Sequence, residues 1–201
     1  MDAAISRLDR PNSYIGRSVS RPNASRLLEG RGRYVTDLVL PRMLHAAFVR
    51  SSHAHGIIVS IDTSQARTLK GVRAVITGED LAQRCKSWVG TLEHFKGMKS
   101  PPQLPLPIDR VVWSGQPIVL IVADSRAIAE DAAELVTIEI EELPVIADME
   151  AALEPGSQTV SPDLSDNLCF TNTLDSGGVD EAFAAAAHIV EGSFIFGRAH
   201  V

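Results

Sequence analysis

Residues Pro117 to Pro144 read PIVLIVADSRAIAEDAAELVTIEIEELP. The run Ile118 to Ala123 is short, apolar, rich in β-branched residues and free of alternation, which is the pattern of a strand buried on both faces. Asp124 and Ser125 follow with side-chain oxygens suited to capping a helix start. Beyond them Ile128, Ala132 and Leu135 share one helical face, while Glu130, Asp131 and Glu134 turn to water. From Val136 the period becomes two: Val136, Ile138 and Ile140 point one way, Thr137, Glu139 and Glu141 the other. Pro144 ends the run. The stretch predicts strand, helix, strand, with the helix covering the sheet that its strands help build. It carries no nucleophile, metal cluster or phosphate loop, so residue chemistry alone names no reaction.

Upstream, a second strand–helix–strand pattern is expected around residues 57–77. Leu44 to Arg50 and Ile57 to Asp62 read as strands joined through Ser51–Gly56, an antiparallel hairpin with a longish loop. Asp62, Thr63 and Ser64 cap a short helix to Leu69, and Val72 to Thr77 is the next strand. Gly30-Arg31-Gly32-Arg33-Tyr34 reads as a glycine-assisted turn into a strand at Tyr34-Val35. A single copy is poor support for an RGG-type nucleic-acid segment. Residues 1–29 read as an extended arm. Its Arg17, Arg21 and Arg26, with Arg31 and Arg33, form either a docking strip for an acidic partner or a solvated face. Residues 82–108, with Pro101, Pro102, Pro105 and Pro107, read as a long irregular excursion. Val111 to Trp113 re-enters the sheet. Downstream, a short helix is expected at 148–153, a strand at 170–174, a helix at 180–187 and a strand at 188–196.

The composition is that of a folded domain: 201 residues, 45% hydrophobic and 22% charged. A net charge of −6 argues against phosphate-backbone binding as the main activity. No apolar run approaches the ~20 residues of a membrane span, and the N-terminus shows no secretory h-region. The two cysteines, Cys85 and Cys169, read as reduced thiols of a cytoplasmic protein, with a pairing of the two as the alternative.

His53 and His55 form the one His-x-His, which on a strand would place both rings on one face able to take zinc. No third ligand stands out. His45, Glu93 and His94 are conceivable helpers only, and the favoured reading is loop and sheet-edge histidines. Glu139, Glu141 and Glu142 offer paired carboxylates, with a solvated face as the simpler account. Cys85 lies between Arg84 and Lys86, whose charges would activate a thiol, with an incidental loop cysteine as the favoured reading. Trp88, Trp113 and Gln116 suggest a small-ligand site or packing under the long loop. There is no Cys-x-x-Cys, no Gly-x-Gly-x-x-Gly and no Gly-x-Ser-x-Gly. No catalytic, cofactor-binding or metal residue is assigned.

Arg31-Gly32-Arg33-Tyr34-Val35-Thr36-Asp37 and Met43 through His55 resemble the opening of molybdenum hydroxylase large subunits, the family of xanthine dehydrogenase, aldehyde oxidase and aerobic carbon monoxide dehydrogenase. Thr77-Gly78-Glu79-Asp80-Leu81, Gly115-Gln116-Pro117, Val122-Ala123-Asp124, Ala129 through Ala133 and Glu142-Leu143-Pro144 follow in the family's order. The likeness runs from about residue 14 to 201, with Ser52 where the family often has proline. It implies an α+β fold: an α/β-hammerhead domain of mixed sheet at 30–147, with two strand–helix–strand units. Residues 1–29 would be an arm, and residues 148–201 a linker and the truncated start of a molybdopterin-binding domain.

The resemblance also implies a structural and docking role without catalysis by the chain alone. Molybdopterin, iron–sulfur clusters and FAD belong to the full complex. The partners implied are the remaining molybdopterin-binding polypeptide, an iron–sulfur subunit and an FAD subunit. The basic arm and residues 82–108 are the candidate docking elements. A stand-alone small-ligand module and a non-functional remnant are the alternatives.

Overall fold

The computed structural model describes residue 14, residues 18–92 and residues 95–194. The chain divides into two units, Met1–Leu44 and His45–Val201. Arg17, Glu93, His94, Ile195, Phe196 and residues 198–201 lie outside the described residues.

The first unit holds one short helix, α1 (Ala24–Leu28), where an extended arm was expected. Ala24, Arg26, Leu27 and Leu28 are all strong helix formers, and that local preference outweighs the nearby Pro22. The strand expected at Tyr34-Val35 is instead a single 3-10 turn, Val35–Asp37. Asp37 is the cause. Its carboxylate accepts the Tyr34 N–H at 2.9 Å, and its own N–H donates to the Tyr34 carbonyl at 3.0 Å. A side chain that satisfies the backbone locally removes the need for a strand partner.

The second unit runs β1 (His45–Arg50), β2 (Gly56–Asp62), α2 (Ser64–Thr68), β3 (Val72–Ile76), α3 (Gly78–Ala82), β4 (Trp88–Val89), β5 (Pro102–Gln103), β6 (Arg110–Val111), β7 (Pro117–Ala123), α4 (Arg126–Glu134), β8 (Thr137–Glu142) and α5 (Val179–Ala185). Two three-stranded sheets carry the order β1-β7-β3 and β6-β2-β8, and β4 pairs with β5. Every described pairing is antiparallel, so the sheets are not mixed as expected.

The central strand is where the apolar run placed it. Ile118, Val119, Ile121 and Ala123 on β7 are fully buried. A strand that is apolar on both faces and central needs neighbours on both edges, and β1 and β3 supply them. That demand overrides the hairpin expected between β1 and β2. The two strands lie in different sheets, and Ser51 hands the chain over. Its N–H donates to the Gln116 carbonyl and its carbonyl accepts the Gly115 N–H, both at 2.8 Å.

The strand–helix–strand units are therefore bridges. One passes from β2 through α2 to β3, the other from β7 through α4 to β8, and each crosses from one sheet to the other. Ser125 caps α4 as read, its hydroxyl accepting the Ile128 N–H at 3.3 Å. Ala129 and Ala132 bury its inner face. One core cluster joins Ala66, Val75, Val111, β7, Ala129 and Ala132, with Ile58, Ile61, Ile138 and Ile140 packed against it. Each fully buried Val or Ile among them contributes about 1.5–3 kcal/mol by leaving water.

Downstream, the helix expected at 148–153 shrinks to a 3-10 turn, Ala151–Leu153, held by the Asp148 carboxylate on the Glu150 and Ala151 N–H groups. Helix α5 forms where expected. Residues 170–174 and the described part of 188–196 are not strands. Their alternation has no sheet edge beside it to pair with, and isolated strands do not persist.

Candidate functional site

The His-x-His pair does not converge on a common ligand. His53 puts Nε2 3.3 Å from the Glu142 carboxylate and Nδ1 3.1 Å from the Ser52 hydroxyl. His55 is buried, its Nδ1 2.9 Å from the Pro144 carbonyl and its Nε2 3.4 Å from Nη1 of Arg110. Since a carbonyl only accepts, Nδ1 carries the proton and Nε2 is the acceptor toward Arg110. His55 thus clips the start of β2 to the chain leaving β8 and to β6. His45 begins β1. Among the described residues no group of three or more His, Cys, Asp or Glu is placed to hold a metal ion.

Glu139, Glu141 and Glu142 are exposed, as their alternation predicts. Glu139 accepts the Ser60 hydroxyl at 3.1 Å. Both cysteines are free and exposed, so they do not pair.

The excursion at 82–108 has structure of its own, contrary to expectation. Strands β4 and β5 pair Trp88 with Gln103 and Val89 with Pro102. The segment between β4 and β5 grips the later connector. Phe95 and Phe170 rings sit 4.2 Å apart, the Lys99 ammonium meets Asp166 at 2.5 Å, and the Lys99 N–H donates to the Cys169 carbonyl at 2.8 Å. Lys99 holds the Asp166 carboxyl below its usual range, with the Leu168 N–H assisting. Asn167 staples the connector to itself, accepting from the Val160 N–H and donating to the Ala152 and Gln158 carbonyls.

Between the loop and the connector lies a groove of about 590 Å³. Its walls are prolines of the loop on one side and Val160 to Asp163 on the other, with Arg110, Trp113 and Gln116 in its lining. Trp113 and Gln116 are thus brought together as the sequence suggested. Trp88 does not line the groove, being one strand removed on β4. Gln116 is fixed by accepting the Val112 N–H at 2.8 Å. Trp113 is half-exposed. Arg110 was not singled out by sequence reasoning. Its Nε is buried with no hydrogen-bond partner. An Arg within Asp109-Arg110-Val111 gives no sign of this, because the side chain it meets is that of His55, which the β2–β6 pairing brings close.

Charge elsewhere is spent on holding elements together. Arg73 on β3 grips Asp124 at the end of β7 through two bonds of 2.6 and 2.8 Å. That grip keeps the Asp124 carboxyl below its ordinary value. Asp80 is lowered chiefly by the Thr77 N–H, part of the cap that starts α3.

Residues 29–144 match the family described as aldehyde oxidase and xanthine dehydrogenase, a/b hammerhead domain. The chain is 39% identical to the nicotine 6-hydroxylase large subunit of Paenarthrobacter nicotinovorans, covering 95% of this chain and 24% of that protein. It is 35% identical to the carbon monoxide dehydrogenase large chain of Afipia carboxidovorans, over 87% of this chain and 22% of that one. Among solved structures, quinoline 2-oxidoreductase from Pseudomonas putida 86 superposes with a TM-score of 0.73 at 41% identity, covering 88% of this chain and 22% of its own. The chain spans about a quarter of the length of the relatives it matches.

Proposed function

The chain belongs to the aldehyde oxidase and xanthine dehydrogenase family, to which it brings the α/β-hammerhead region, and from this membership we propose a structural and docking role within a molybdopterin-dependent oxidoreductase. The complete complex would hydroxylate an aldehyde or N-heterocycle, taking oxygen from water and passing electrons through iron–sulfur clusters to FAD. The observation that carries this reading is the match over residues 29–144 together with the superposition at 41% identity.

In this reading molybdopterin and the iron–sulfur clusters are held by the rest of the complex. Their contribution is shape: residues 30–147 form the hammerhead, and residues 148–201 lead toward the cofactor-binding portion. Support for an outward-facing role comes from apolar side chains left in water. Leu174, Val190 and Phe194 are 97%, 95% and 93% exposed, and none of α5 is buried. Large apolar side chains left this fully exposed beyond residue 170 are what a covering neighbour would bury. The neighbours proposed are a molybdopterin-binding polypeptide, an iron–sulfur subunit and an FAD subunit, in the cytoplasm.

Purification from the native host tests this. Molybdenum and pterin are expected in the fraction that contains the chain, carried by polypeptide outside residues 1–201. Turnover by the isolated 201 residues, or purification of the chain free of any such polypeptide, refutes it.

A further inference from the structure

We propose that β4 is an open sheet edge that takes an extended acidic segment of a neighbouring subunit as its next strand. The proposal rests on the docking role above and gives the partner its chemistry. Among the described residues β4 has β5 as its one neighbour. Trp88 stands opposite Gln103, and Val89 opposite Pro102. Proline has no N–H, so Val89 and Pro102 cannot exchange ladder bonds, and theirs is the pair whose backbone groups turn away from each other. On the β5 side this leaves an outer edge with no donor at Pro102, which blocks it to a further strand. On the β4 side it turns the Val89 N–H outward. The Val89 carbonyl is taken by the Thr91 N–H at 3.1 Å, so what β4 offers there is a donor.

The charge of the guest is argued from the flanks of β4. Every residue from Ala82 to Val89 is exposed. Residues 82–99 carry Arg84, Lys86, Lys96 and Lys99 against the single carboxylate of Glu93, in a chain of net charge −6. Lys99 is engaged by Asp166, and the other three cations face water. Cations beside an edge repel a strand of like charge and leave an acidic one as the guest. Trp88 adds an apolar plate. Its indole lies over Gly90, where an added Cβ would come within 2.7 Å of the ring, yet the residue stays 55% exposed. Backbone donor, apolar plate and flanking charge together are the elements by which a sheet edge recruits an extended peptide. The ribbon is also held in place. Phe95 and Lys99, between its two strands, are fastened to Phe170 and Asp166, so little order has to be gained when a guest arrives.

The test uses the full chain carrying Trp113→Phe, so that Trp88, the other of the two tryptophans, reports by fluorescence. The probes are two short end-capped peptides, one alternating glutamate with valine, the other lysine with valine. At low salt the glutamate peptide is expected to bind about tenfold more tightly than the lysine peptide, a margin that shrinks as salt rises. Arg84→Glu together with Lys86→Glu should invert that order. Val89→Pro removes the outward N–H, spares the Trp88–Gln103 pair, and should weaken the glutamate peptide about five- to tenfold. The two peptides compared on the parent chain decide the matter even where a variant fails to fold. Equal binding of the two, or binding of neither, overturns the proposal. A glutamate-peptide affinity untouched by Val89→Pro overturns it as well, because charge alone would then account for the binding. A Trp88 response to phosphatidylglycerol vesicles that neither peptide reproduces assigns the surface to lipid, and self-association abolished by Lys86→Glu assigns it to a second copy; either result overturns the proposal. Any of these failures leaves the docking role standing, since co-purification with the molybdopterin-binding polypeptide is measured separately.

Discussion

The Arg73–Asp124 pair shows how one residue contact reports on the whole sheet. Both side chains are largely in water, so the pair adds little at neutral pH and high salt. Its signature is in acid. Asp124 has a lowered folded pKa, so the stability it confers is fully present above the unfolded carboxylate value of about 3.9 and is lost as pH falls through the lower folded value. Asp124→Asn should therefore be slightly less stable than the parent at pH 7, and its urea midpoint should fall less between pH 5 and pH 2. Equal acid sensitivity of the two proteins would show that Asp124 is not coupled to folding. Asp124 was legible in the sequence as a residue near a helix start. Its partner was not, because Arg73 lies 51 positions away and meets it only once β3 pairs with β7.

At the scale of elements, the loop at 82–108 is the instructive case. Its prolines and glycines announce irregular backbone, and that much is read from sequence. What it does is grip the 165–170 connector through the Phe95–Phe170 rings and the Lys99–Asp166 pair. Phe170→Ala removes the ring contact at a site far from the sheets. Thermolysin cleavage within residues 155–175 is expected to rise several-fold through more frequent local opening. The thermal melt of the sheets should change little, within about 0.5 kcal/mol. Unchanged cleavage would mean that the Lys99 and Asn167 contacts hold the connector without the ring pair. Glycine tells a similar story at α3. A Cβ on Gly78 would land against the Pro107 carbonyl, so the return of the long loop passes too close for any larger residue. The sequence shows a glycine before a helix; the approaching backbone is invisible in it.

At the scale of the second unit, the two sheets share one core, and this predicts how the molecule comes apart. Ile121 is fully buried on β7, and Ile140 on β8 packs against the same cluster from the other sheet. Ile121→Ala is expected to cost about 2–5 kcal/mol, and Ile140→Ala less, because it is only partly buried. In both, residues of the two sheets should unfold in one urea transition, followed by tryptophan fluorescence and circular dichroism together. Two separated transitions would show that the bridging helices do not couple the sheets. The sequence by itself determined the elements whose signal is local: the buried strand at 117–123, the capped helix after it, the alternating strand to Glu142, and the ordered residues that mark the family. Tertiary structure decided which strand lies beside which and that Arg110 comes to lie beside His55. The physical reason is range. Periodicity and capping act over one or two turns of chain, whereas the order of strands in the two three-stranded sheets arises only when residues far apart in sequence are brought into contact.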